Sequence, residues 1–196
     1  MPRSPKEDAL VTAKLLSYTY LQIGIIQALA GFFCYFVVFS DCGFFAHSLF
    51  GMRDAFEDDD LEALNDSYGN EWTYESRNVV LQAAQTSYFT SIVIVQWADL
   101  IICKTRILSV FQQGMTKNTT MLQGLTFETV LAIFISYCPG IYVALKTRPL
   151  SFVWWLPALT FSLLIWVYDE IRKYMMREYR ANHGGKAGFV ERSTYY

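Results

Sequence analysis

Two carboxylates and an amide stand where polar groups are costly. Asp99 and Gln96 lie within Ser91-Ile-Val-Ile-Val-Gln-Trp-Ala-Asp-Leu-Ile-Ile-Cys103, and Glu128 interrupts a second apolar block. Positions three apart share a helix face, so Gln96 and Asp99 are expected to point the same way. An acid at the centre of a membrane span costs on the order of 3 kcal/mol and calls for a partner or a wet cavity. Asp99 precedes Lys104 by five residues, and Glu128 follows about seven residues into the next block. On adjacent antiparallel helices both would lie roughly 6–10 Å below the same surface, at about 1.5 Å per residue. Two acids at one depth repel unless a cation or a proton lies between them. With the neutral oxygen of Gln96, such a set suits a hard monovalent cation. A second reading stays open: acids this near an interface can snorkel or protonate, and Glu128 could cap its own helix. Two spans cannot enclose an ion, so further ligands must come from elsewhere.

The elements that would position these groups are apolar blocks. Of the 196 residues 53% are hydrophobic; residues 15–39 and 150–168 carry no charge, 79–103 only Asp99, and 119–145 only Glu128. A helix needs roughly 20 apolar residues to cross the hydrocarbon core. The prediction is an all-α membrane protein with four transmembrane helices as two antiparallel hairpins, at 15–39, 79–103, 121–145 and 150–171. The first block is too long for a signal-peptide core and is expected to be an uncleaved span. Gly24, Ala28 and Gly31 should let it pack closely on a neighbour, and Gln22 and Gln27 are read as part of that packing. Ser136-Tyr-Cys-Pro-Gly140 should kink the third helix.

Lysine and arginine make the 1–14 segment, the 104–120 loop and the 172–196 tail cytoplasmic, which puts the 40–78 and 146–149 loops outside. Lys146 and Arg148 run against this rule but are outnumbered. Asn65-Asp-Ser67 should then face the lumen and Asn118-Thr-Thr120 the cytosol.

Residues 41–77 hold ten acids against two bases, a net charge of −8. Glu57-Asp-Asp-Asp60 lacks the alternation and glycine of a calcium loop and is expected to be solvated. Ser67-Tyr-Gly-Asn-Glu-Trp72 is a turn signal between aromatics, and exposed rigid aromatics suit a protein contact. Cys34, Cys42, Cys103 and Cys138 show no paired spacing and read as packing residues. The sequence offers no phosphate-cradling glycine loop, no Cys/His cluster, no nucleophile with a base and no nucleic-acid signature. It contains no catalytic residues for nucleotide hydrolysis.

Gln96-Trp-Ala-Asp-Leu100, Lys104-Thr-Arg106, Phe111-Gln-Gln-Gly114, Ser136-Tyr-Cys-Pro-Gly140, Trp154-Trp155, Val167-Tyr-Asp-Glu170 and Tyr195-Tyr196 resemble one known family. It is the C-terminal membrane region of the sodium/potassium-transporting P-type ATPase alpha (catalytic) subunit. The resemblance covers essentially the whole chain and corresponds to the last four of ten spans. It implies that Gln96, Asp99 and Glu128 line a sodium site in the complete pump, and that Ser67, Tyr68 and Gly69 hold the beta subunit. It also implies that Tyr195 and Tyr196, with Arg106, form a C-terminal regulatory clamp. The implied setting is a multi-pass protein of the plasma membrane. Its implied partners are the remaining alpha spans, the beta subunit, sodium, membrane lipid and a small single-span regulatory subunit. ATP and magnesium would be used by cytoplasmic domains that this chain lacks. Three positions depart from the pattern: Asn70 for a glutamine, Phe127 for a glutamate, and Ile107 for an arginine. The Ile107 departure weakens a phosphosite reading at Ser109. The expectation is a fragment or truncated product of such a pump, or a stand-alone remnant. An alternative from another class is a non-transporting interaction protein that binds a beta-type subunit through residues 41–77.

Overall fold

Among the described residues, four helices are long and apolar enough to cross a membrane. The structure, a computed structural model, describes residues 17–58, 60, 61, 63–105, 107–114 and 118–194. In chain order a π turn at Tyr18–Ile23 leads into α1 (Gly24–Asp41), then the short α2 (Ala46–Leu49) and α3 (Arg53–Glu57). A two-stranded ribbon of β1 (Leu64–Asn65) and β2 (Glu71–Trp72) precedes α4 (Tyr74–Cys103). After α5 (Val110–Gln113) come α6 (Thr119–Tyr137) and α7 (Ile141–Ala144). A 3₁₀ turn at Phe152–Trp155 opens α8 (Leu156–Asn182), and α9 (Phe189–Thr194) ends the described chain.

α4 is the axis of the bundle. It packs along both α1 and α8, whereas α6 touches α4 more sparsely. Half of the apolar window of α4 is buried, against 11% of that of α6. The sequence of α4 explains its place. Ala83, Ala84, Ser87 and Ser91 are small, and all four are buried. In lipid, such residues let backbones approach, and their hydroxyls need partners. Thr86 Oγ1 and Thr90 Oγ1 donate back to the carbonyls of Gln82 and Thr86, while Ser87 Oγ reaches the Cys34 carbonyl of α1 at 3.4 Å. From α8, Ser162 Oγ donates to the Ile94 carbonyl at 2.8 Å. On the α1 side, a Cβ at Gly31 would lie 2.6 Å from the Tyr88 ring, so glycine sets this approach.

The third apolar block does more than kink. The α-helix stops at Tyr137, Cys138 is extended (φ −73°, ψ 121°), and Gly140 turns the chain at φ +88°. Pro139 supplies no N–H and forces its predecessor out of the helical region, so a new one-turn helix begins beyond it. One of the two basic residues in the following connection has a structural use. Arg148 donates from Nε to Gln82 Oε1 at 3.2 Å and from its backbone to Thr86 Oγ1 at 2.9 Å. Trp154 Nε1 donates to Asp41, and Trp155 Nε1 to the Tyr137 hydroxyl, which itself donates to the Leu150 carbonyl. The four cysteines are all free thiols.

The acidic segment is not a featureless solvated loop. Phe39, Phe44, Phe56 and Trp72 form a cluster with ring centroids 5.4–6.4 Å apart. Arg77, 0% exposed, clasps the segment by donating to the carbonyls of Ala55, Asp58 and Leu61 at 2.8–3.0 Å. Asp58 and Asp60 do lie exposed, as their run suggested.

Candidate cation site and docking turn

The close approach of α1 and α4 brings Gln27 to Asp99. Gln27 Nε2 donates to Asp99 Oδ2 across the helix pair. The other oxygen, Oδ1, is buried and has no hydrogen-bond partner among the described residues. A buried polar atom without a partner commonly costs about 1–3 kcal/mol, so such atoms in native folds call for an explanation. Gln96, three residues earlier, is exposed. Three residues is 60° short of a full turn, enough to put the amide on the open side while the carboxylate turns inward. Glu128 is half-buried on α6. Among the described residues, no group of three His, Cys, Asp or Glu side chains converges to hold a metal ion. The described part of the chain therefore supplies one interior carboxylate with a free oxygen, and no closed cage.

One turn beyond Asp99, α4 ends against a cluster of buried charge on α8. Lys173, 0% exposed, donates to the Ile102 carbonyl at 2.9 Å and to Thr105 Oγ1 at 2.8 Å, and pairs with Asp169 at 2.5 Å. Arg172 binds the same carboxylate at 2.7 Å. A cation at a helix C-terminus meets carbonyls that have no intrahelical partner. The following loop is fastened the same way: Arg177 donates to the Ile107 carbonyl, and Glu170 accepts from the Val110 N–H. Ser109 in this loop is buried. Farther along, Arg180 pairs with Glu191 and folds α9 back on α8. Arg106, Tyr195 and Tyr196 lie outside the described residues.

At the opposite end of α4, Ser67, Tyr68 and Gly69 form an exposed turn, and the Tyr68 side chain is 70% exposed. Asp66 beneath it is buried. Its Oδ1 accepts the N–H groups of Tyr68 and Asn70 at 2.8 and 2.9 Å; its Oδ2 accepts Asn70 Nδ2 and Trp72 Nε1 at 3.0 and 3.1 Å. Burial by itself would raise this carboxyl, but the Asn70, Trp72 and backbone donors outweigh it and hold it at about 2, below its ordinary 3.8.

Sequence reasoning counted Asp66 only as one loop acid and Gln27 only as packing. Each carried a faint signal: Asp66 stands first in an Asp-Ser-Tyr-Gly turn, where a side-chain oxygen commonly bonds the backbone two residues on. Gln27 is an amide within a chargeless span. Residues 1–175 match the family described as cation transporting ATPase, C-terminus. Over 195 residues, 100% of this chain, the sequence is 54% identical to the sodium/potassium-transporting ATPase subunit alpha-2 of Gallus gallus and 55% identical to the alpha-1 subunit of Catostomus commersonii. It is 53% identical to the corresponding alpha subunit of Hydra vulgaris. The chain spans 18% of the length of each of these relatives. With four membrane-length helices and a match over residues 1–175, the chain belongs to the cation-transporting ATPase C-terminal family.

Proposed function

We propose that this chain is the C-terminal membrane module of a sodium/potassium-exchanging pump. In this reading Asp99, with Gln96 and Glu128, contributes to a sodium site, and the Ser67–Gly69 turn docks the beta subunit. The carrying observation is the Asp99 carboxylate, held at one oxygen by Gln27 with the other buried and unpartnered among the described residues. A carboxylate kept for structure alone would have both oxygens filled. Sodium is the cargo, and the rest of its ligands come from the other alpha spans. ATP and magnesium belong to cytoplasmic domains outside this chain. The clamp of Arg106, Tyr195 and Tyr196 would act from the cytoplasmic side. The 1–14, 104–120 and 172–196 segments face the cytoplasm of a plasma-membrane protein, in contact with lipid and a small single-span regulatory subunit.

The test is a sodium and potassium titration of a full-length pump carrying this sequence, with and without Asp99→Asn. Loss of sodium activation with potassium activation retained is expected; equal loss of both, or no loss, would end the sodium-site assignment. A second reading, a non-transporting protein that binds a beta-type subunit, rests on the turn around Asp66 without the ion site. Genomic sequence upstream of Met1 discriminates the two. An in-frame continuation encoding six further spans and an Asp-Lys-Thr-Gly motif supports the pump.

A further inference from the structure

Asp66 lies where two segments distant in sequence meet. Its four donors all come from the Tyr68–Trp72 side, and between them they take up both carboxylate oxygens. On its other side lies Gly43. An added Cβ there would stand 2.7 Å from Asp66 Oδ2, and the residue sits at φ +92°, a conformation open to glycine. The Gly43 carbonyl in turn accepts the Ser67 N–H at 3.0 Å. The chain just after α1 is thus drawn against the turn that precedes α4. The next residues along it complete an exposed surface: the Phe45 ring meets Tyr68 edge-on at 5.6 Å and stacks with His47 at 5.9 Å. Asp66 itself is 9% exposed, so a docked protein would touch Tyr68 and not the carboxylate beneath it.

We infer that Asp66 is the positioning residue of the docking turn: it holds the Ser67–Trp72 segment in the shape that seats against Gly43 and Phe45, so that one preformed surface presents Tyr68 to the beta subunit. The inference rests on the docking role proposed above. Preforming the surface removes the cost of ordering a loop at the moment of binding. Asparagine cannot replace the aspartate, although it has the same shape. An amide has one accepting atom, and its NH₂ would face either the two backbone N–H groups or the pair formed by Asn70 Nδ2 and Trp72 Nε1. Leaving two part-buried donors unpaired predicts about a tenfold loss in the population of the ordered turn.

The experiment co-expresses the full chain with an affinity-tagged sodium/potassium-pump beta subunit and measures co-purification in mild detergent. Membrane insertion is checked by resistance to alkaline extraction. Asp66→Asn should lower co-purification about tenfold with insertion intact. Asp54→Asn, an exposed loop acid, should have no effect. Adding Trp72→Phe to Asp66→Asn removes one opposing donor while keeping an aromatic ring against Phe44, and should restore part of the loss. In the ¹⁵N spectrum of the solubilised chain, the Trp72 indole N–H should move on Asp66→Asn. Tyr68→Ala separates the two ideas. If Tyr68→Ala abolishes co-purification and Asp66→Asn leaves it unchanged, the docking assignment survives and the Asp66 role is overturned. If Tyr68→Ala is silent while Asp66→Asn abolishes binding and shifts the indole, Asp66 still positions the surface but the contact lies on Phe45 or His47. An unmoved indole in Asp66→Asn overturns the positioning role whatever else is seen.

Discussion

Asp66 and Asp99 are both carboxylates removed from water near opposite ends of one helix, and they are partnered in opposite ways. Asp66 meets four donors, and its pKa is driven down to match. Asp99 meets one side-chain amide and keeps a buried oxygen without a partner among the described residues. Burying an ionised group is tolerable only when its hydrogen-bonding capacity is filled. The first aspartate meets that condition within a seven-residue turn. The second does not meet it among the described residues, and that deficit is the observation behind the proposed sodium site. A buried acid is therefore no guide to function until its donors have been counted.

The largest expected effect breaks the pair apart. Asp99→Asn preserves shape, and the amide oxygen can still accept from Gln27, so the fold should persist. What disappears is the charge. In a complete pump, sodium affinity should fall at least about tenfold, equivalent to 1.4 kcal/mol, with potassium activation nearly constant. A snorkelling acid predicts near-silence in the same titration.

Gln27→Leu should act in the same direction and less strongly. The amide fixes one carboxylate oxygen and so aims the other; without it the side chain samples more rotamers. A hydrogen bond to a charged group contributes about 1.5–3 kcal/mol, but a mobile carboxylate can still reach an ion. A loss of about threefold to tenfold is expected, and sodium affinity unchanged in Gln27→Leu would show that the pair is packing alone. Smaller again is Glu128→Gln, expected at about twofold to threefold, because α6 packs only sparsely against α4 and holds Glu128 less firmly toward Asp99. The double variant with Asp99→Asn should be less than additive if both groups face one ion. Full additivity would place Glu128 outside the site.

The contrast also decides what could be read from residues alone. The four apolar blocks and the intramembrane acids were legible because charge is rare there, and a single Asp in a 25-residue apolar run announces itself. Asp66 was not legible, because it sits in a segment with nine other acids and its burial depends on Gly43 and on Trp72 folding back. Nor was Gln27, whose partner lies 72 residues away. The Pro139-Gly140 break was placed correctly but underestimated as a kink, since a kink needs the helix to resume in register and Gly140 at φ +88° turns the chain away. Long-range pairing, rather than local propensity, accounts for these misses.

Acid is the mildest probe, and it tests the filled carboxylate directly. A group whose folded pKa lies below its unfolded value contributes stability above the unfolded pKa and loses it as pH falls through the folded one. For Asp66 the window runs from about 3.8 down to about 2. From pH 7 to about pH 5 its charge is the same folded and unfolded, so the stability of the turn should not respond. Below about 3.8 the unfolded loop takes up a proton that the folded loop refuses, and the turn should begin to loosen toward pH 2. The Trp72 indole N–H, bonded to Asp66 Oδ2 at 3.1 Å, is the local reporter. Its resonance should stay fixed from pH 7 to about 4 and move only below that. Movement centred near pH 4 would mean that the four donors do not hold the carboxylate as tightly as their distances imply, and the contrast with Asp99 would lose its firmer half.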